Sequence, residues 1–263
     1  MTLPRFSPEN DPGPDFSALI DKYGMPAISS QGIIENLPHG TTCVAIKYND
    51  GVVLAGDRRA TSGHHISFRT IEKVFQSDSH SGVAISGAAG PAVEMVKLFQ
   101  LQLEHYEKVE GNSLSLEGKA NQLGNMIRQN LPAAMQGLAV VPIFAGYDLR
   151  ENAGRIFQYD VTGGRFEEAA FATTGSGSLH ATTVIKMGFK DKLNQQDAVA
   201  LAANAIFEAS DEDSATGGPD LIRDLFPTIA VIKANGFEMI SHDKVVTAFT
   251  EIINSRKEQN GGT

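Results

Sequence analysis

The sequence of 263 residues predicts an α+β fold in which helices pack outside two stacked sheets. Segments with alternating apolar residues, typical of strands, form two groups along the chain. Each group is followed by a pair of segments with apolar residues at helical spacing. Further strands and one more helix complete the order. Because a sheet and a helix each have an apolar face to bury, two sheets between two pairs of helices satisfy this pattern.

The most informative stretch is the first predicted hairpin. Val44, Ile46 and Tyr48 alternate along a strand, and residues 49–51, Asn-Asp-Gly, tolerate the positive φ of a tight turn. The second strand ends at a carboxylate, Asp57. These features predict two antiparallel strands with an acidic group at their exit.

A Gly40–Thr41 bond precedes this hairpin. If the chain were cut there, Thr41 would carry a free α-amine beside its own hydroxyl, which places a base and a nucleophile on one residue. A threonine alone does not show that the cut happens.

The remaining elements follow in order along the chain. Strands are expected at 71–75, 82–86, 138–148, 154–161 and 166–173, with a closing hairpin at 227–234 and 237–241. Helices are expected from Gly90-Pro91 to about Lys108, from Ser115 to a bend or end at Pro132, after 174–178, at 195–209 and at about 242–257. The first helix has an apolar stripe that should be core, made of Ala92, Met95, Val96, Phe99, Leu103 and Tyr106.

Composition narrows the class of protein. The net charge is −9, and an acidic chain without a basic patch argues against nucleic acid or an anionic membrane as a partner. No apolar run has the length of a membrane span, and no secretory signal opens the chain, so a cytoplasmic protein is expected. The single cysteine, Cys43, excludes an internal disulfide and is expected to be a small buried residue.

No metal site or cofactor is expected. No pair of histidines has zinc-binding spacing on a helix, and His64-His65 should lie in a solvated loop. Residues 1–40 contain six prolines and one short apolar cluster, Phe16 to Tyr23, which predicts an extended arm with one helical turn. The Gly-rich C-terminal tail should be disordered.

Five motifs resemble the proteasome β subunits, most closely the 20S type of actinobacteria. They recur in the order and spacing of the family, and the resemblance covers residues 41–263; they are Thr41-Thr42, Gly56–Thr61, Lys73, Ser86–Gly90 and Asp213–Gly218. The resemblance implies the four-layer αββα sandwich of N-terminal nucleophile hydrolases. It also implies that residues 1–40 are a removable propeptide and residues 41–263 the catalytic domain.

The same resemblance implies a threonine endopeptidase that cuts itself between Gly40 and Thr41. Thr41 is then the nucleophile, with Lys73 beside it and Asp57 paired to Lys73, while the Gly87 N–H serves the oxyanion. Either Lys73 or the Thr41 α-amine could be the general base, and the residues leave both open.

Further site residues come from the resemblance alone. Ser176 matches the family's serine near the nucleophile, and Asp213 and Thr216 match the aspartate and hydroxyl residue that orient the α-amine. Without the family, both stretches would be ordinary turns. A substrate-binding role and the wall of the first specificity pocket are implied for Ala60, Thr61, Ile71, Phe75, Ile85 and Ala89. The walls are uncharged, with Ile85 at the floor, so we expect a preference for apolar residues before the cut.

The partners implied are copies of the chain in seven-membered β rings, proteasome α subunits, an ATPase unfoldase ring and unfolded proteins as substrates. Two alternatives stay open. The chain could belong to a simpler two-ring bacterial relative, against which stand the long N-terminal arm and the extra length after Asp213. It could be a noncatalytic ring subunit, but such subunits usually lack one of the Thr, Asp and Lys set.

Overall fold

A computed structural model describes residues 40–260, and the expectations for residues 1–39 and for the Gly-rich tail lie outside the described residues. The described chain forms two five-stranded antiparallel sheets and a small separate hairpin. The first sheet has the strand order β10-β1-β2-β11-β12. Its strands are β1 (Thr42–Tyr48), β2 (Gly51–Gly56), β10 (Phe171–Gly175), β11 (Thr228–Lys233) and β12 (Gly236–Met239).

The second sheet runs in sequence order from β5 to β9. Its strands are β5 (Val74–Asp78), β6 (Ser81–Gly87), β7 (Val140–Asp148), β8 (Ala153–Tyr159) and β9 (Arg165–Glu168). The separate hairpin consists of β3 (Ala60–Ser62) and β4 (His65–Phe68).

Six helices flank these sheets within the described part of the chain. They are α1 (Ala89–Glu110), α2 (Leu116–Gln129), α3 (Leu131–Ala134), α4 (Ser178–Gly188), α5 (Gln195–Glu212) and α6 (His242–Asn260). The Ser115 side chain caps α2 by accepting a hydrogen bond from Gly118 N at 3.1 Å. None of these helices has the length and apolarity needed to cross a membrane.

Three layers of apolar side chains separate four layers of structure. One core lies between the first sheet and α4, α5 and α6, and another lies between the second sheet and α1 and α2. The third core fills the space between the two sheets and includes Cys43, Ala45 and Leu54. Because alternate residues of β1 point to opposite faces, Val44 and Ile46 pack towards the helices. The predicted αββα sandwich is confirmed.

The strand predicted at 166–173 is wrong as a single element. The chain leaves the second sheet after β9, bends at residues 169–170 and enters the first sheet as β10. A run of alternating residues carries no signal of the sheet to which each half pairs. This crossing matters for function because β10 leads directly into Ser176.

Several smaller expectations also need correction. The strand expected at 71–75 begins only at Val74. The helix expected at 195–209, which is α5, extends to Glu212. Tyr106 is 39% exposed rather than part of the core. The helix that begins after Ser115 ends at Gln129, before Pro132, so the expected bend or end is confirmed. His65 begins the exposed strand β4 rather than lying in a loop.

Candidate active site

Thr41 lies immediately before β1, in the space where the ends of the two sheets meet. It is only 4% exposed, and its amide continues into the chain through Gly40. The Thr41 hydroxyl donates a hydrogen bond of 2.6 Å to the carbonyl oxygen of Gly40. Since a carbonyl carbon lies about 1.2 Å from its oxygen, Thr41 Oγ1 is within about 4 Å of the carbon of the Gly40–Thr41 peptide bond.

Asp57 follows β2 and is fully buried. Its Oδ1 accepts hydrogen bonds from Thr42 N at 2.8 Å and from the Lys73 ammonium at 2.6 Å. Its Oδ2 accepts from Arg59 N and from Gly217 N, both at 2.8 Å. The carboxylate therefore has four donors, and it ties the start of β1 to two loops and to Lys73.

Lys73 directly precedes β5 and is 3% exposed, unlike most lysines with apolar neighbours along a strand. Its three ammonium hydrogens have three acceptors: Asp57 Oδ1, the Arg59 carbonyl at 2.5 Å and the Gly40 carbonyl at 3.1 Å. The Gly40 oxygen thus accepts from both Lys73 and Thr41. A buried cation and a hydroxyl converge on the carbonyl of the Gly40–Thr41 bond.

A second carboxylate, Asp213, ends α5 on the other side of Thr41. Its Oδ2 accepts from the hydroxyls of Ser176 at 2.5 Å and Thr216 at 2.6 Å, and its Oδ1 accepts from Ala215 N. Burial alone would raise the pKa of Asp213, but these hydrogen bonds outweigh it and hold the pKa below its ordinary value. Ser176 Oγ in turn accepts from Thr41 N at 3.4 Å.

Thr42 lies in one of the sequence motifs, but the sequence analysis gave it no role in the site. Its hydroxyl lies 2.6 Å from Thr216 Oγ1, and it accepts from Gly177 N at 3.0 Å. The Thr216 hydroxyl has one hydrogen and donates it to Asp213, so the Thr42 hydroxyl is the donor to Thr216. This chain of hydroxyls joins the start of β1 to Asp213. The only signal in the sequence was a second threonine, since the partners lie 135 and 174 residues away.

A narrow cavity opens beside Thr41. Four of the expected pocket residues line it together with Gly87, namely Ala60, Ile71, Ile85 and Ala89. Thr61 and Phe75 do not line it: Phe75 packs against the core below α1. The side chains around the cavity are apolar apart from Glu72, Lys73, Thr41 and Ser86.

Gly87 has a backbone conformation that favours glycine. Its φ is +104°, and a Cβ there would lie 2.1 Å from the Ala139 carbonyl oxygen. Gly87 is the last residue of β6, and it also borders the cavity at Thr41.

Cys43 is not available as a nucleophile in the folded chain. The thiol is fully buried between the sheets, and burial raises its pKa to about 12, so it is protonated at neutral pH. Within residues 40–260 no group of three or more histidine, cysteine, aspartate or glutamate side chains could hold a metal ion.

A four-layer αββα sandwich with a threonine at the start of its first strand is typical of N-terminal nucleophile hydrolases. Within that class, the family model described as "Proteasome subunit" matches residues 37–221. The chain belongs to the proteasome subunit family, whose members assemble into proteasome particles.

Curated relatives agree over most of the chain. A "Proteasome subunit beta" of Acidimicrobium ferrooxidans is 52% identical over 98% of this chain and 96% of its own length. Proteins with the same name from Acidothermus cellulolyticus and Streptomyces griseus are 55% and 54% identical over 86% and 88% of this chain, and over 79% and 82% of their own lengths. The chain is therefore a catalytic subunit of the β type and a threonine-type peptidase.

Proposed function

We propose that this subunit is made as an inactive precursor that cuts its own Gly40–Thr41 bond and then hydrolyses unfolded proteins with the Thr41 that it has freed. The observation that carries this proposal is the carbonyl of the intact Gly40–Thr41 bond, whose oxygen accepts hydrogen bonds from the Thr41 hydroxyl and the Lys73 ammonium. A hydroxyl this close is near the attack distance of about 3–3.5 Å, and the cation polarises the carbonyl.

The self-cleavage proceeds through an ester between Gly40 and Thr41. Thr41 Oγ1 adds to the Gly40 carbonyl carbon, the C–N bond breaks, and the nitrogen takes up a proton to become the α-amine. Water then hydrolyses the resulting ester, which releases residues 1–40 with a new carboxylate. Before the cut, the Thr41 nitrogen is an amide without basicity, so the precursor should be inactive.

Cleavage also changes the donors around Thr41. The Lys73 hydrogen that now serves Gly40 becomes available to Thr41 Oγ1, while the bonds to Asp57 and Arg59 hold the ammonium in place. The new α-amine starts 3.4 Å from Ser176 Oγ, which donates to Asp213. An α-amine has a reference pKa of about 7.7–8, which suits proton transfer near neutral pH.

Substrate choice and partners complete the proposal. The apolar cavity beside Thr41 supports a preference for apolar residues before the cut, with the Gly87 N–H as the oxyanion donor. We assign the subunit to cytoplasmic particles of seven-membered β rings that are capped by α subunits and supplied with unfolded chains by an ATPase ring. Such an enclosure keeps folded proteins away from a site of broad specificity.

Mass spectrometry of the purified full chain tests self-cleavage. Wild type should lose the mass of residues 1–40, whereas Thr41→Ala should fold and keep it. Thr41→Ser is the matched control, since it keeps a hydroxyl and should still be cut, at a lower rate. Trimming of Thr41→Ala after Gly40, by the isolated protein, would show that another group cuts the bond.

An active-site-directed epoxyketone tests the catalytic role separately. The mature wild type should be labelled covalently at Thr41, and the label should be absent from uncut chains. Labelling at another residue, with loss of peptidase activity, would assign the nucleophile elsewhere.

A further inference from the structure

A second cavity, which shares no residue with the one beside Thr41, is lined by three arginines. We call it the arginine cavity, after Arg58, Arg59 and Arg69, which line it together with residues 217–218 and 225–227 and Asp220. Three cations at one small cavity stand out in a chain whose net charge is −9. Such a cluster attracts anions and repels its own members.

None of the three arginines has an ion pair with another residue of the described chain. By contrast, Arg155 contacts three carboxylates within the same range. The hydrogen bonds of the cluster go to backbone carbonyls, from Arg58 to Thr70 at 3.3 Å and from Arg59 to Ser214 at 2.9 Å. The positive charges of the cavity are therefore not neutralised from within residues 40–260.

Arg58 adds an independent observation. Its Nε is buried and has no hydrogen-bond partner among the described residues. A buried N–H of a charged group without an acceptor is costly, so the described residues do not satisfy Arg58 fully.

Asp220 is the single carboxylate among the lining residues, and its acceptors are already occupied. Its Oδ2 pairs with Arg223 at 2.8 Å, and its Oδ1 accepts from the backbone N–H groups of residues 222 and 223. It reduces the positive potential of the cavity without contacting the three arginines. A net positive charge remains for an incoming group.

The shape of the guanidinium group favours a carboxylate among small anions. Each guanidinium presents parallel N–H donors that match the two oxygens of a carboxylate. The cavity is small and partly open to solvent, so the rest of an organic acid can extend out of it.

We propose that the arginine cavity binds the carboxylate of a small organic acid. The bound group accepts from Arg58 and Arg69, at the back of the loops that hold Asp57 and residues 213–218. Arg59 connects the two regions, since its backbone contacts Asp57 and Lys73 while its side chain reaches Ser214. The binding claim does not depend on the mechanism proposed for Thr41.

Ligand-observed NMR of acetate with the purified full chain tests this site. The ionic strength is held constant with chloride, and the acetate methyl signal is followed to saturation. We expect saturable binding to wild type, and a Kd raised about tenfold or more in Arg58→Gln and Arg69→Gln, because each loses a charge-assisted hydrogen bond.

Arg150→Gln is the matched control, since Arg150 is exposed, has no described ion pair and lies outside the cavity. It should bind acetate as wild type does. Thermal melts check that each variant is folded, and Arg69 is exposed, so its replacement is tolerated. Absence of saturable binding, equal affinity in all four proteins, or sulfate binding as tightly as acetate would each overturn the proposal.

Discussion

Replacing Asp57 by asparagine tests whether the buried carboxylate holds the site together. Asp57→Asn keeps the shape of the side chain but removes the charge opposite Lys73 and turns an amide N–H₂ towards donors. Asp57 is fully buried and Lys73 is 3% exposed, so the cation is left without a counter-charge in a site with little water. Breaking one partner of a buried pair costs about 3–5 kcal/mol.

For a domain of this size, about 2–4 °C of Tm corresponds to 1 kcal/mol, so we expect a decrease in Tm of about 6–20 °C. Thermal melts are recorded in a Thr41→Ala background, at one protein concentration, so that neither cleavage nor assembly differs between samples. Lys73→Met should cost less than Asp57→Asn, because three backbone N–H groups still donate to the carboxylate.

Asp78→Asn is the matched control. Asp78 also pairs with a buried lysine, Lys119, at 2.5 Å, but this pair lies outside the site. With Thr41 present, Asp78→Asn should lower stability and leave self-cleavage intact, whereas Asp57→Asn should abolish cleavage. A change in Tm of less than about 2 °C for Asp57→Asn would refute the reasoning.

Three further predictions concern other parts of the fold. Hydrogen bonds from Arg155 hold the pKa of Glu167 below its ordinary value of 4.5, so this pair stabilises the fold above about pH 4.5 and stops doing so as the pH falls through the lowered pKa. Arg155→Met should therefore lower Tm at pH 7 and have a smaller effect as the pH falls through that lowered pKa. Gly87→Ala should abolish peptidase activity and lower Tm, because its Cβ would collide with a backbone carbonyl, whereas Gly111→Ala, with positive φ and open space, should lower Tm only slightly. Cys43 should react with a thiol reagent at pH 8 only after unfolding, because it is buried and its pKa is about 12.

Each of these has an outcome that would count against it. An effect of Arg155→Met that is independent of pH would mean that the ion pairs do not carry its contribution. Equal losses in Gly87→Ala and Gly111→Ala would point to backbone strain rather than collision. Rapid labelling of folded Cys43 would contradict its burial between the sheets.

The elements at turns and caps were predictable because their signals are local. Asn49-Asp50-Gly51 marks the first hairpin, and Ser115 marks the start of α2. The split of 166–173 between two sheets could not be predicted from the sequence. Alternation of apolar residues indicates which face of a strand a residue occupies, but it does not indicate the neighbouring strand.

In the site, too, residues whose partners are distant in the sequence were the hardest to predict. Composition alone predicts that Lys73 points to solvent, and it is buried because Asp57 and two carbonyls satisfy its three hydrogens. Thr42 was missed because its partners come from distant loops, which only the assembled fold brings together.

The most direct measurement follows peptide hydrolysis and the intact mass of the chain in the same samples as the precursor matures. Activity should rise in proportion to the fraction of chains that begin at Thr41. In the uncut chain the Thr41 nitrogen is an amide without basicity, and one Lys73 hydrogen is held by the Gly40 carbonyl. Full hydrolytic activity in particles whose every copy still carries residues 1–40 would contradict the account.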